Sequence, residues 1–404
     1  MNTTFITYEA ALAILEANKS KLAEEVSPLE NCTGAWLAED LIADRDFPPF
    51  DRVTMDGIAI VFAEYEAGRR TFPIESLAPA GTPQLSLDDR GHCIEVMTGA
   101  IMPEKTDTVI RYEDLEITDK SATITVDSLR FRQNVHFKGI DILKGNCIVR
   151  QGGAISSAEI NIAAAVGKST LLVKKMPKVV IISTGDELIN VDAIPQLHQI
   201  RRSNIYGIKN TLKEWGLIAD LAHLPDDKVE MKRIIPQLLD TYEVLIFTGG
   251  VSKGKFDFLP EVLEWAGVKK LFHKIQQRPG KPFWFGTNEA HKKIFALPGN
   301  PVSSFVCLYV YFQFWLKKSL GVQEQPFYVI LDKDVSFQPD LIYFLEANLE
   351  SRIDGSLYAN PIEGNGSGDF ANLVKTDGFL VLPQYKSKFK KGEVYRFVPY
   401  RSIY

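Results

Sequence analysis

A chain of 404 residues is longer than one ordinary hydrophobic core serves, so two to four domains are expected. A net charge of -5 with 45% hydrophobic residues is the make-up of a soluble globular protein; it leaves no electrostatic footprint for nucleic acid, while allowing a local basic pocket. The four cysteines, Cys32, Cys93, Cys147 and Cys307, are far apart and lack metal-ligand spacing, which fits a reduced cytoplasmic protein.

In chain order, residues 1–20 carry neither a basic leader nor a cleavage-like site and read as an amphipathic helix capped by Thr7, so secretion is not expected. From about Asp51 to Gly139 short β-type runs, such as residues 92–97 and 122–126, alternate with turns. Three loops in this part stand out: Pro48 to Gly57, which ends in an Asp-Gly turn after Asp56; Thr98-Gly99-Ala100; and Lys138 to Gly145 around Asp141. Singly, each reads as ordinary turn chemistry.

Residues 178–183 and 243–248 are near-continuous apolar runs rich in β-branched side chains, as in strands covered on both faces. Ser203 can cap a helix that repeats Ile205, Ile208, Leu212 and Trp215 and ends at Gly216. A strand over residues 217–224 and a helix over 228–239 follow, with Pro236 predicting a kink or an early stop. This β-α-β-α-β order implies a doubly wound α/β unit.

Three Gly-rich turns follow its strands: residues 183–187, 248–254 and 297–303. In a parallel sheet they would share the carboxyl edge, where glycine lets backbone N–H groups approach an anion. Asp186, Glu187, Asp226, Asp227 and Asp257 would gather at the same edge, a supply of acids suited to Mg2+, although each alone reads more readily as a helix cap or a solvated group. Lys274 and Arg278, four apart in an apparent strand, should share a face, and Pro279-Gly280 should turn Lys281 towards them; Lys253 and Lys255 flank the second turn. Together these cations suggest a phosphorylated or oxyanionic ligand. Asn300 and Pro301 open an almost wholly apolar helix over residues 301–316, too short for a membrane span and read as a buried or interface helix. After about Gln325, short strands at 327–331, 378–382 and 394–398 suggest a small barrel.

In order, Met55-Asp56-Gly57, Thr98-Gly99-Ala100, Gly139-Ile140-Asp141-Ile142, residues 183–188, residues 248–254, Arg278-Pro279-Gly280-Lys281-Pro282 and residues 297–303 resemble the MoeA family of molybdopterin molybdenumtransferases, related to the E domain of animal gephyrin and its plant counterpart. The resemblance implies a multidomain α/β plus β fold: a discontinuous N-terminal domain (1–50 and 140–176), an inserted β-rich domain (51–139), a central MogA-like doubly wound α/β domain (177–322) and a C-terminal β-barrel (323–404). It implies a homodimer whose cleft lies between the α/β domain of one subunit and the inserted domain of the other. The implied reaction takes adenylylated molybdopterin and molybdate to molybdenum cofactor and AMP, assisted by Mg2+ or another divalent cation, through positioning and electrostatics.

Carried over from the family, Glu187 and Asp257 are expected at the metal and phosphate region, with Asp186 and Asp226 as supporting acids and Asp56, Thr98 and Asp141 acting from the partner's cleft wall. Substrate is expected at Thr184, Gly185, Asp186, Gly249, Gly250, Ser252, Lys274, Arg278, Lys281, Pro298, Gly299, Asn300, Pro301 and Ser367. A molybdopterin adenylyltransferase is implied as a transient partner, and neither nucleic acid nor membrane. Two departures stand out: Arg201-Arg202-Ser203-Asn204, where an acidic residue often precedes the helix cap, and Tyr343-Phe344-Leu345-Glu346-Ala347, which lacks an expected arginine. The α/β unit also resembles MogA-type adenylyltransferases, and gephyrin's E domain acts as a scaffold, so both activities stay open at the level of sequence.

Overall fold

The apolar runs do form strands buried on both faces. Val179–Thr184 and Val244–Thr248 are buried along their whole length and run parallel at the middle of a six-stranded sheet. Its order is Ala219–Leu224, Val179–Thr184, Val244–Thr248, Lys293–Leu297, Trp284–Thr287 and Lys269–His273. The first four strands are parallel and the last two pair antiparallel. This computed structural model describes residues 5–251, 257–323, 325–362, 364, 366 and 368–401.

Strand alternation feeds two cores. Val179 and Ile181 join Ile205, Ile208 and Leu212 of the helix Asn204–Glu214 on one face; Val180 and Ile182 join Met231, Ile235 and Leu239 of the helix Lys228–Thr241 on the other. Helices therefore cover both faces, as a doubly wound sheet requires. The first helix, Tyr8–Ala17, is capped as expected, with Thr7 Oγ1 accepting from Ala10 N at 3.2 Å.

Several local readings change. The helix Lys228–Thr241 continues past Pro236 with no early stop, because the buried stripe of Met231, Ile235 and Leu239 outweighs one missing backbone hydrogen bond. Ser203 precedes the helix Asn204–Glu214 but makes no side-chain cap bond. The strand expected through Lys274 and Arg278 breaks: it ends at His273, Lys274 takes a left-handed φ of 78°, and Gln277–Arg278 pairs instead with Ile342 and Tyr343. Lys274 and Arg278 thus do not share a strand face.

From Pro301 the chain is helical to Leu320, with a wider-wound stretch at Leu308–Phe312, and Gly321 ends it in a left-handed conformation. Its apolar surface packs inside its own chain: Phe312 and Trp315 both meet the Phe295 ring, at 5.0 and 5.3 Å, and Val306, Tyr311 and Trp315 are fully buried. An all-round apolar helix is a core helix here, so it gives no reason to invoke a second subunit.

Beyond it, Ile342–Ser351, Leu357–Pro361, Phe327–Leu331, Val394–Pro399 and Gly378–Leu382 pair in that order, and the last pairs back to the first. The result is a closed five-stranded barrel around Leu345, Ala347, Leu380, Leu382 and Phe397. The chain forms two compact units. The larger, Met1–Glu25, Gly34–Trp36 and Val173–Tyr404, holds the α/β sheet and the barrel. The smaller, Val26–Thr33 and Leu37–Leu172, has its own six-stranded sheet, ordered Thr108–Arg111, Gly57–Ile60, Cys93–Val96, Thr71–Ala78, Ser121–Ile124 and Leu115–Ile117.

Candidate active site

The three Gly-rich turns follow three adjacent parallel strands, so they lie side by side. Gly249 N donates to Leu297 O at 3.0 Å. A Cβ on Gly249 would stand 2.9 Å from Thr184 Oγ1 and 3.0 Å from Thr184 O, and φ is +96° there, so only glycine fits. A Cβ on Gly299 would lie 3.7 Å from Gly249 Cα. Asn204 Nδ2 donates to Gly299 O at 2.8 Å, tying the third turn to the helix that begins after Arg202. Thr184 is buried beneath the second turn.

A cavity of about 850 Å³ opens on these turns. Gly249, Gly250, Pro298, Gly299 and Asn300 form one wall with Asp257; Arg278 and Lys281 form a second; Tyr343, Phe344 and Glu346 of the barrel form a third. The Arg278 guanidinium is 6.0 Å from the Phe337 ring, which stacks on Tyr343 at 4.2 Å. The Lys281 ammonium sits 4.5 Å over the Phe5 ring. Lys274 is 6% exposed and outside the lining; its backbone N donates to Phe283 O. Pro301 begins its helix and borders a smaller neighbouring cavity.

The acids at the strand edge interact. Asp186 Oδ1 accepts from Asp226 N at 3.1 Å. Burial, and then the charges of Asp186, Glu187 and Asp257, push the Asp226 carboxyl up to about 6. Asp227 instead caps its helix, accepting from Glu230 N at 2.8 Å. On the neighbouring strand the His223 imidazole is pushed down by burial and by Arg202, and its Nδ1 lies 3.0 Å from Ser183 Oγ. Among the described residues, no three His, Cys, Asp or Glu side chains stand together as a ready metal-ligand set. Ser252 and Ser367, with Lys253, Gly254 and Lys255, lie outside the described residues.

In the smaller unit, Thr98 N donates to Asp56 Oδ1 at 2.6 Å and, with the Thr98 side chain, holds this exposed carboxylate below its usual range. A Cβ on Gly57 would fall 1.8 Å from Ile110 O, which explains the Asp-Gly pair. Both loops hang on the short strand Arg52–Val53: Val53 N donates to Ala100 O, and Gly99 N to Val53 O. The same strand pairs with Val135–His136, whose His136 Nε2 is 3.1 Å from Asp141 Oδ1. Asp56 and Thr98 are thus in direct contact, and Asp141 joins them through His136 and Arg52.

Sequence reasoning had passed over Glu346 as a site residue. It is a buried acid in the cavity wall, and the available signal was a glutamate on the same strand face as Ile342 and Phe344.

Three family models match the chain in order: the MoeA N-terminal region (domain I and II) over residues 6–167, a probable molybdopterin binding domain over 180–318, and the MoeA C-terminal region (domain IV) over 328–400. A molybdopterin molybdenumtransferase of Synechocystis sp. is 41% identical over 395 residues, 97% of this chain and 99% of the relative. One of Haemophilus influenzae is 29% identical over 403 residues, 96% and 99% of the two chains. The crystal structure of a molybdopterin biosynthesis MoeA protein from Pyrococcus horikoshii OT3 is similar at a TM-score of 0.83 and 26% identity, covering 98% of this chain and all of that one.

Proposed function

The chain belongs to the MoeA family of molybdopterin molybdenumtransferases and serves molybdenum cofactor biosynthesis by molybdenum insertion, and we propose that it does so by taking adenylylated molybdopterin and molybdate to molybdenum cofactor with release of AMP. One observation carries this: the Gly-rich turns converge on a cavity whose second wall presents Arg278 and Lys281. Backbone around Gly250 and Gly299 approaches the phosphates or molybdate without intervening side chains, and the two cations bind their charge. The helical run from Pro301 begins at the same wall, with the positive end of its dipole towards the anion.

Glu187 and Asp257 are the residues proposed to hold a divalent cation, magnesium in the first instance. The raised Asp226 carboxyl supports this, since a carboxylate held back first by burial and then by three neighbouring acids marks a place short of positive charge. Bound there, the cation would neutralise charge developing on the phosphoanhydride as it breaks. Asp226, raised to about 6 by burial and by its acid neighbours, is the acid of this edge suited to take up or release a proton.

Asp56, Thr98 and Asp141 are assigned to the cleft wall of the partner subunit in a homodimer. The exposed, pre-oriented Asp56 carboxylate supports that role. The four-part division at residues 51, 140, 177 and 323 is kept as part of the same proposal. A molybdopterin adenylyltransferase would supply the substrate by transient contact. Among the described residues no helix is long and apolar enough to cross a membrane and the cysteines are free, which supports a cytoplasmic setting. The test is to incubate the purified protein with adenylylated molybdopterin, molybdate and magnesium, following AMP and activation of an apo-molybdoenzyme. Molybdenum-dependent AMP release is expected; its absence overturns the proposal.

A further inference from the structure

Alternate side chains of the barrel strand Ile342–Ser351 face out of the barrel, and Ile342 and Phe344 join the core beneath the α/β sheet. Glu346 is next in that row. It is 7% exposed and lines the cavity. Its Oε2 accepts from the buried Asn372 Nδ2 at 3.0 Å, while Oε1 has no hydrogen-bond partner among the described residues. A Cβ at Gly364 would stand 3.3 Å from Oε2, so glycine lets the chain close over the carboxyl. A buried acceptor without a donor is destabilising, and groups of that kind persist where function uses them.

The cavity therefore has two characters. Arg278, Lys281 and the glycine turns suit anions; the barrel end presents an acid. An oxyanion alone matches only the first. A ligand that matches both carries negative charge in one part and N–H donors in another. Adenylylated molybdopterin has this pairing: its pyrophosphate, which joins the pterin part to adenosine, carries the charge, and the pterin ring presents adjacent 2-amino and N3–H donors that suit a carboxylate, where adenine offers only its 6-amino group.

We propose that Glu346 recognises the pterin ring, accepting from its 2-amino and N3–H groups, an inference that rests on the substrate reading above. Asn372 holds the carboxyl from behind and fixes its orientation. Among the described residues, the ionisable groups that act on Glu346 are Asp369 and Tyr400, and neither brings positive charge. Burial, against the Asn372 hydrogen bond and with a smaller push from Asp369, raises the carboxyl towards its neutral form. Ring N–H donors favour the ionised form, so binding shifts the carboxyl towards ionisation and, at acid pH, releases a proton. A neutral carboxyl donating to an oxyanion would act in the reverse sense and take one up.

The experiment titrates wild type and Glu346→Gln with adenylylated molybdopterin, with AMP and with molybdate, by calorimetry in buffers of different ionisation enthalpy. The variant should bind adenylylated molybdopterin about tenfold or more weakly and AMP and molybdate within about twofold, as expected for loss of one charged hydrogen-bond acceptor. At about pH 5, near the ordinary glutamate range, proton release on binding, present in the wild type, should vanish in the variant. Unchanged binding of the pterin ligand, equal loss for all ligands, or proton uptake by the wild type overturns the inference. The wild-type proton count decides the matter even where thermal melts show that Glu346→Gln folds poorly. A wild type that neither binds the adenylylated ligand nor releases AMP from it overturns the substrate reading itself, a result distinct from an active enzyme indifferent to Glu346.

Discussion

Asp226 and Glu346 are both acids whose carboxyls are pushed up chiefly by burial, yet their neighbours differ. Around Asp226 stand three further acids, Asp186, Glu187 and Asp257. Among the described residues Glu346 has one, Asp369, and an amide donor, Asn372, that works the other way. A crowd of carboxylates lowers its repulsion by taking up a cation; a solitary buried carboxyl lowers its cost by meeting neutral donors. Similar titration thus points to different chemistry at the strand edge and at the barrel.

The largest expected effect breaks the strand-edge side. Removing Glu187 or Asp257, by Glu187→Ala or Asp257→Ala, should lower magnesium-dependent AMP release on the order of 100- to 1000-fold, the loss typical of an electrostatic group acting in the transition state. Melting curves should change little, since Glu187 is exposed and Asp257 lines an open cavity. Near-normal turnover at saturating magnesium would remove the carboxylates from the mechanism.

Gly249 offers a steric test of the same edge. Gly249→Val puts branched carbons against Thr184, from which even a Cβ would stand 2.9 Å, at a φ of +96°. The left-handed strain alone costs about 1–3 kcal/mol, and displacement of the neighbouring turns should lower turnover about a hundredfold. Wild-type AMP release would mean that the close approach of the turns is irrelevant to function.

The cation wall gives a smaller effect, and it separates two lysine-arginine roles that the sequence had merged. Arg278→Ala should weaken substrate binding by about 1.5–3 kcal/mol, the range for a charge-assisted hydrogen bond, and Arg278→Lys by less, because charge survives although the planar fork does not. Lys274→Ala should act mainly on stability, since Lys274 is buried and outside the lining. Titrations across a range of salt, beside melting curves, check both. Wild-type affinity in both Arg278 variants would place Arg278 outside the site.

These residues also show how far the sequence could be read. The glycine turns were legible because each is a local motif after an apolar strand, and strand direction then brings them to one edge. The acids followed from the same logic, with Asp227 proving to be a cap. Lys274 was misplaced because the chain leaves its strand there in a left-handed conformation that nothing in residues 269–278 signals. The helix from Pro301 was recognised as apolar, but periodicity does not tell a chain's own core from a partner's surface. Glu346 stayed hidden because its wall depends on pairings distant in sequence, Ile342–Ser351 against Gly378–Leu382 and Gln277–Arg278 against Ile342 and Tyr343.

The smallest effect sharpens the opening contrast through stability. The Asp226 carboxyl has an ordinary value of 3.8 and stands at about 6 in the fold. Between these values the folded chain holds more protons at this site than the unfolded chain, so stability must fall as pH rises through the window. The penalty is absent well below 3.8 and complete above about 6. Asp226→Asn removes the ionisation, so the variant should melt higher than wild type above pH 6, with the gap closing as pH falls towards 4. Magnesium should then raise the wild-type melting temperature above pH 6 and narrow the gap, because a cation that binds only the folded chain stabilises it and offsets the carboxylate repulsion. Glu346→Gln should gain nothing from magnesium beyond what wild type gains, since among the described residues Asp369 is the one acid that acts on it. Melting curves for the three proteins, across pH with and without magnesium, check each point. A wild type that is indifferent to magnesium at pH 8, with Asp226→Asn no more stable, would mean that the strand-edge acids neither repel one another enough to matter nor gather a cation.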